Sequence, residues 1–208
     1  MTRRDALSRI FTGALAAFVA MRTSPARSEE EPTRDPFAPI PRARFLALKD
    51  TIQLRSKQYD LDWTWVAGIA FQESGFNQKA VGAGGHIGVM QIAPATAASV
   101  AVGIVAIDTA DANIHAGIRY LRYILDKHLS EPGITENDRM RMAVGSYQAG
   151  PLNIDQARGW ARLHGFNADR WFGGVEEAVR RLFGEHTVRY VRDVSAYRDA
   201  FRTAFAND

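Results

Sequence analysis

The chain has 208 residues, of which 46% are hydrophobic and 24% are charged. This composition is typical of a globular domain and excludes collagen-like, disordered and polytopic membrane proteins. The formal net charge of +3 would favour an anionic partner such as nucleic acid. However, four of the arginines lie within the first 26 residues, and the rest of the chain carries equal numbers of basic and acidic residues. A nucleic-acid-binding function is therefore not expected.

The N-terminus has the three parts of an export signal. Arg3 and Arg4 precede an uncharged run at residues 10–21, and Ser24-Pro25-Ala26 supplies small residues for cleavage. The run is shorter than the roughly 20 residues that a membrane-spanning helix needs. We predict a signal peptide at residues 1–26, read by the general or the twin-arginine route, and a periplasmic mature protein. An uncleaved anchoring helix is the alternative.

Residues 27–41 contain three consecutive glutamates and four prolines, which predicts a linker that neither packs nor forms a helix. The chain has no cysteine, and its five histidines are well separated along the sequence. No disulfide, metal site or cofactor is therefore predicted.

Helical patterns broken by Gly, Pro and polar clusters fill the remaining chain, and no segment alternates like a strand. Asp108 and Thr135 are the expected N-caps of the two helices in the middle of the domain, and residues 75–88 are expected to form a glycine-rich loop. We predict an all-α domain over residues 42–208, with helices near 44–59, 62–74, 95–102, from 108, from 135, and near 151–163, 175–183 and 186–205.

Glu73 is the first candidate for chemistry. It continues the apolar stripe of Val66 and Ala70 at the end of the most hydrophobic helical segment. Desolvation there, together with the negative end of the helix dipole, would favour the protonated form that a general acid requires. On this feature alone, a glutamate that turns outward or pairs with an arginine explains the pattern as well.

Four short motifs follow one another along the domain. They are Glu73-Ser74-Gly75-Phe76, Gly88-Val89-Met90-Gln91-Ile92, Tyr147-Gln148-Ala149-Gly150-Pro151 and Thr187-Val188-Arg189-Tyr190-Val191. This set resembles the soluble lytic murein transglycosylase (SLT) domain over about residues 62–194. The resemblance implies a lysozyme-like fold and an enzyme that acts on the glycan strands of peptidoglycan.

The resemblance also implies a role for each matching residue. Glu73 takes the place of the single catalytic acid/base. The expected substrate-binding residues are Ser74, Gly88, Met90, Gln91, Tyr147, Gln148 and Tyr190, with Gln91 the expected sugar ligand. Both tyrosines also lie on core-facing stripes, so a structural role remains open for each, and Met90 fits packing better than contact.

Three positions depart from the family pattern. Gln148 stands where the family has Asn, His86 where it usually has Ala, and His186 where Glu usually precedes the Thr. The longer side chain of Gln148 puts its contact to the acetamido region of the substrate in doubt. His86 could reach the cleft.

The spacing of acidic residues bears on the reaction. Glycoside hydrolysis normally uses two carboxylates, but the next acid after Glu73 is Asp108, beyond the whole glycine-rich loop. This favours a non-hydrolytic reaction with a 1,6-anhydro-muramoyl product over hydrolysis by a goose-type lysozyme. A non-catalytic module that binds cell-wall glycan is the second alternative, and a secretion or envelope machine is an open partner.

Overall fold

Eight α-helices form the part of the chain that the computed structural model describes, residues 35 and 37–206. The described residues contain no β-strand, and their strand-like pairing is limited to isolated bridges that join Ile87 to Val81 and to Ile92. The all-α expectation is therefore confirmed. The helices are α1 (Pro39–Gln58), α2 (Trp63–Ser74), α3 (Pro94–Ala98), α4 (Ala110–His128), α5 (Glu136–Ala149), α6 (Pro151–Leu163), α7 (Glu176–Phe183) and α8 (Glu185–Ala204).

The first helix begins five residues earlier than predicted and takes in the end of the predicted linker. Pro39 and Pro41 both lie in its first turn, where backbone N–H groups have no intrahelical partner and proline is tolerated. Phe37 packs its ring against Phe201, with centroids 5.6 Å apart. The expectation that residues 27–41 neither pack nor form helix is thus wrong from Phe37 onward. The predicted signal peptide and the rest of the linker up to residue 34 lie outside the described residues.

Helix α2 is the central element and is buried from Thr64 to Phe71. The carboxylate of Asp62 accepts the Thr64 N–H at 2.9 Å and caps its start. Its main partner is α8. A Cβ at Gly68 would stand 3.0 Å from the Val194 carbonyl oxygen, so the absent side chain allows the two backbones to approach closely.

Helix α4 begins one residue later than predicted. Its N-cap is Thr109, whose hydroxyl accepts the Ala112 N–H at 3.2 Å, and Asp108 lies outside the helix. The expectation that Asp108 is the N-cap is therefore wrong. Both residue types cap helices well, so the residue type alone does not distinguish them. Thr135 caps α5 as predicted.

The other predicted helix ends agree with the structure to within one residue, except the C-terminal end of α3. Helix α3 ends at Ala98 because Ser99 turns to an extended conformation. A π-type turn at Trp171–Val175, with Gly173 at φ 66°, precedes α7. Within the described residues, no helix combines the length and the apolar composition that crossing a bilayer requires.

Candidate active site

Glu73 lies in the last turn of α2, which ends at Gly75 in the left-handed conformation (φ 60°). Its side chain is half-buried. The Tyr190 phenol, from α8, donates a hydrogen bond of 2.6 Å to Glu73 Oε1. Tyr190 itself is 6% exposed. The structure therefore brings together the predicted acid and one of the two predicted tyrosines.

Tyr147 lies at the same site. Its hydroxyl donates to the Met90 carbonyl oxygen at 2.9 Å. Burial, and then the nearby charges of Glu73 and Tyr120, raises the pKa of the Tyr147 phenol well above its usual value. The phenol therefore stays neutral and ties α5 to the loop that carries Met90.

Ser74 fixes the start of that loop. Its hydroxyl donates to the Val89 carbonyl oxygen at 2.8 Å and accepts the Asn77 N–H at 2.9 Å. In this conformation the hydroxyl ties the end of α2 to the second motif. Its predicted contact to substrate stays a prediction.

The second motif is a tight turn held by Asn113 of α4. Gly88 has φ 80°, and a Cβ there would stand 2.4 Å from the Asn113 amide. Asn113 is fully buried, donates to the Ile87 carbonyl oxygen at 2.9 Å and accepts the Met90 N–H at 2.8 Å. Only glycine fits at position 88. Sequence reasoning missed Asn113, although a polar residue inside the buried stripe of α4 was a usable signal.

Met90 and Gln91 both turn into the protein. The Met90 side chain has no exposed surface and packs against Gly117, so the prediction that it contacts substrate is corrected to packing. Gln91 has φ 45° and is 7% exposed, and its amide donates to the Ala80 and Gly88 carbonyl oxygens at 3.1 and 3.0 Å. Gln91 therefore shapes the loop, and a hydrogen bond from it to sugar stays a prediction.

Gln148 follows Tyr147 at the end of α5. Its Oε1 accepts a hydrogen bond of 2.7 Å from the hydroxyl of Thr187, one turn before Tyr190 on α8. The longer side chain of Gln148 thus reaches a buried partner, and this contact fixes the orientation of its amide.

Tyr120 of α4 is a further site residue that sequence reasoning missed. Its ring centroid lies 5.5 Å from that of Tyr147, and burial raises the pKa of its phenol. It occupies the position three residues after Gly117, against which Met90 packs. The helical spacing of Asn113, Gly117 and Tyr120 was the signal.

The two histidine departures lie on the loop and on α8. His86 Nδ1 lies 2.9 Å from the Ala83 carbonyl oxygen, within its own loop, and the expectation that it reaches the cleft stays a prediction. His186 is exposed in the first turn of α8. Glu185 beside it accepts the Arg180 Nε–H at 2.5 Å. Within the described residues, no group of three or more His, Asp or Glu side chains could hold a metal ion.

Comparison with known proteins decides the family. The family model described as "Transglycosylase SLT domain" matches residues 50–168, more than half of the chain. The chain belongs to the SLT-domain family. The resemblance to this family is therefore confirmed. The match includes Glu73, the glycine-rich loop and Tyr147, and the fourth motif at residues 187–191 lies beyond it.

Curated relatives of this SLT domain are longer proteins. The chain is 31% identical over 128 residues to the membrane-bound lytic murein transglycosylase F of Cellvibrio japonicus, covering 62% of this chain and 25% of the relative. It is 36% identical over 154 residues to the Shewanella woodyi protein of the same name, covering 67% and 31%. The chain thus spans about a quarter to a third of the length of these relatives.

Solved structures share the fold. The lytic transglycosylase Slt of Pseudomonas aeruginosa, solved as an inactive Glu-to-Gln mutant, superposes with a TM-score of 0.59 at 21% identity and covers 77% of this chain and 25% of that one. The 70 kDa soluble lytic transglycosylase of Escherichia coli gives a TM-score of 0.57 at 25% identity, with 78% and 25% covered. The expected fold of the SLT domain is confirmed.

Proposed function

We propose that this SLT domain is a murein lytic transglycosylase that cleaves the bond between N-acetylmuramic acid and N-acetylglucosamine. The observation that carries the proposal is the hydrogen bond from Tyr190 to Glu73 at the end of a buried helix. It holds a carboxyl group in a defined position at a partly desolvated site, as general acid–base catalysis requires. The names of the curated relatives support the same reaction.

In the first step Glu73 acts as the acid. Tyr190 occupies Oε1, so the other carboxyl oxygen carries the proton and donates it to the bridging glycosidic oxygen. The bond from that oxygen to C1 of the muramoyl unit breaks, and the acetamido carbonyl oxygen of the same sugar bonds to C1. The N-acetylglucosamine unit leaves with the transferred proton on its hydroxyl group.

In the second step the Glu73 carboxylate acts as the base. It takes the proton of the muramoyl C6 hydroxyl, whose oxygen bonds to C1 as the bond from C1 to the acetamido oxygen breaks. The product is a 1,6-anhydro sugar, Glu73 is protonated again, and no water is consumed. A single carboxylate suffices because the substrate supplies its own nucleophiles, in contrast to the two-carboxylate scheme.

The other site residues bind and orient. Tyr190 positions Glu73, and the neutral Tyr147 phenol holds the Met90 carbonyl oxygen and thereby the loop. Gln148, oriented by Thr187, is the residue we assign to the acetamido group. Ser74, Gly88 and Gln91 give the loop its shape.

We further propose that the chain is exported and meets peptidoglycan in the periplasm. The export pattern at residues 1–26 supports this, as does the description of the curated relatives as membrane-bound murein enzymes. A stable partner from a secretion or envelope machine is compatible with such a location.

The test is digestion of purified peptidoglycan, with mass spectrometry of the released muropeptides. The wild-type chain should release products that end in 1,6-anhydro-muramic acid. Glu73→Gln should lower turnover about 100-fold to 10,000-fold, because the amide is nearly isosteric but cannot transfer a proton. Glu136→Gln, an exposed position in the first turn of α5, is the matched control and should leave turnover unchanged.

Each alternative gives a different result. Products that end in a reducing sugar would identify a hydrolase of the lysozyme type. Binding to peptidoglycan without any cleavage by the folded wild-type chain would identify a glycan-binding module. Unchanged turnover of Glu73→Gln would refute the assignment of the acid.

A further inference from the structure

A cavity of about 210 Å³ opens between the C-terminal end of α1 and one face of α4. Three cationic side chains line it, Arg119, Arg122 and Lys127, together with one acidic side chain, Asp126, and the ring of Tyr59. The cationic residues and Asp126 share one face of α4 because their spacing follows the helical repeat. The cavity is therefore a cationic pocket.

The single acid does not satisfy these cations. Asp126 accepts a hydrogen bond of 2.6 Å from Arg122, while the buried Arg122 Nε–H has no hydrogen-bond partner. Within the described part of the chain, neither Arg119 nor Lys127 makes a hydrogen bond or an ion pair. Guanidinium groups with free N–H donors are matched to the geometry of a carboxylate.

The same excess of positive charge affects the pKa of a neighbouring histidine. His115 lies next to the cavity, with its Nε2 2.6 Å from the hydroxyl of Tyr59. Its pKa is lowered, first by burial and then by the positive charges of Arg55 and Arg119. The Arg55 charge is paired with Asp111 at 2.6 Å, whereas Arg119 has no such partner.

A series of tyrosine rings joins the pocket to the candidate active site. Tyr123 lines the pocket, and its ring stacks on that of Tyr120 with centroids 6.5 Å apart and an interplanar angle of 14°. Tyr120 in turn lies 5.5 Å from Tyr147, whose phenol is within reach of the Glu73 charge. Two ring contacts thus connect the pocket to the candidate active site, and we take the polymer bound at Glu73 to extend along α4 between them.

We propose that the cationic pocket of α4 binds a free carboxylate of a peptide stem carried by the murein strand being cleaved. Arg119 and Lys127 make the contacts, while Arg122 stays paired with Asp126. The inference rests on the proposed function, because it takes murein as the polymer at Glu73. Murein is a suitable ligand because its peptide stems end in carboxylates while its sugar backbone, with the stems attached, is uncharged.

The test compares two substrates and three sets of variants. The substrates are intact murein and murein strands from which an amidase has removed the stems. The first variant combines Arg119→Ala with Lys127→Ala, and the second is Arg119→Lys, which keeps the charge. The control combines Arg44→Ala with Arg202→Ala, which removes the same charge from exposed positions elsewhere. Cleavage kinetics and co-sedimentation with murein are both measured.

On intact murein the pocket double variant should have a KM raised about tenfold or more, and its affinity in co-sedimentation should fall by a similar factor. Each lost charge-assisted hydrogen bond makes the binding free energy less favourable. The kcat of this variant should change by less than about twofold. Arg119→Lys keeps the charge but loses the planar guanidinium, so its KM should lie between those of wild type and the pocket double variant. The charge-matched control should behave as wild type. On amidase-treated strands the pocket variant and wild type should have the same KM.

Two results would overturn the inference. One is an unchanged KM and unchanged co-sedimentation of the pocket double variant on intact murein. The other is an equal rise in KM on amidase-treated strands, which would place the carboxylate on the muramic lactyl group that the amidase uncovers. If the wild-type chain cleaves neither substrate, the proposed function fails, and co-sedimentation with intact murein still decides the pocket.

Discussion

Tyr190 follows Glu73 by 117 residues in the sequence, and its phenol donates a 2.6 Å hydrogen bond to the Glu73 carboxylate. The contact depends on the close packing of α2 against α8, which Gly68 allows by leaving room for the Val194 carbonyl oxygen. The position of the acid is therefore set by the docking of two distant helices. Variants that disturb this docking should affect turnover before they unfold the chain.

The first prediction concerns the hydroxyl of Tyr190. Tyr190→Phe keeps the buried ring but removes the 2.6 Å hydrogen bond to Glu73, so the carboxyl group is held less firmly in its position. We expect kcat to fall about tenfold to 100-fold while KM changes little. Digestion kinetics measure both values.

Tyr197→Phe is the control on the same helix. Tyr197 is also buried, and its ring meets that of Phe71 edge-on with centroids 4.6 Å apart. It should leave kcat unchanged. Equal losses in the two variants would mean that a general loosening of α8, and not the contact to Glu73, explains the effect.

The second prediction concerns the orientation of Gln148. Thr187→Val is nearly isosteric but removes the hydroxyl that donates to Gln148 Oε1 at 2.7 Å. The amide then loses its fixed orientation, and we expect KM for murein to rise about threefold to tenfold. Thr203→Val, at an exposed position near the end of α8, is the control. A normal KM for Thr187→Val would show that Gln148 does not depend on this contact.

The third prediction compares alanine substitutions at two helical glycines. A Cβ at Gly117 would stand 2.8 Å from Met90, whereas Gly159 in α6 has nothing within 4 Å. Gly117→Ala should therefore cost about 1–3 kcal/mol of unfolding free energy by overpacking and lower turnover by displacing the loop. Gly159→Ala should stabilise the chain by up to about 1 kcal/mol, since alanine favours helix. Urea unfolding measures both, and a neutral Gly117→Ala would contradict the packing argument.

The helices were predictable because their signals are local. Thr135 has a cap side chain and an apolar stripe directly after it, and the α5 start was placed correctly. Where two local signals compete, the sequence did not decide. Asp108 and Thr109 both fit an N-cap, and the prolines at 39 and 41 fit both a linker and a first helical turn. The structure packs the ring of Phe37 on that of Phe201, a contact between residues far apart in the sequence that no local pattern indicates.

The sequence predicted most of the residues that form the candidate site but not the structural role of each one. Glu73, Tyr147 and Tyr190 stand in motifs, yet nothing in the sequence says that Gln91 turns inward while Asn113 holds the loop. These roles depend on how the loop lies against α4, which is a contact between segments far apart in the chain. For the same reason the sequence did not reveal the cationic pocket, since the charges balance over the chain after residue 26.

The fourth prediction is a pH dependence. Partial burial raises the pKa of the Asp193 carboxyl above its usual value, against the opposing charges of Arg192 and Arg189. The folded chain then binds this proton more tightly than the unfolded chain, so the stability contributed at this position falls as pH rises from the usual aspartate pKa through the raised pKa of the folded chain. Asp193→Asn should therefore stabilise the chain at pH 7.

The gain from Asp193→Asn should shrink as pH falls through the raised pKa of Asp193 in the folded chain. It should vanish below the usual aspartate pKa, where the carboxyl is protonated in both the folded and the unfolded chain. Asp199→Asn is the control, since Asp199 is exposed and paired with Arg198 at 2.8 Å. It should give no gain at pH 7. A gain for Asp193→Asn that is equal at low and neutral pH would rule out the titration as its cause.

The last prediction concerns two arginines of α6 that meet the same two acids. Arg158 is 3% exposed and contacts Glu131, Asp169 at 2.9 Å and the Ala168 carbonyl oxygen at 3.0 Å. Arg162 is half-exposed and approaches the same carboxylates at 3.4 and 3.9 Å. The Arg158 side chain is packed in the protein and also forms ion pairs, whereas water screens the ion pairs of the exposed Arg162.

Arg158→Ala should therefore lower the free energy of unfolding by about 3 kcal/mol, because it leaves a buried carbonyl oxygen unpaired, opens a void and releases the segments before α5 and after α6. Arg162→Ala should cost less than about 1 kcal/mol. Urea unfolding of the two variants measures the difference directly. Because both changes remove one positive charge next to Glu131 and Asp169, equal costs would mean that net charge, and not the burial of Arg158, stabilises this corner of the domain.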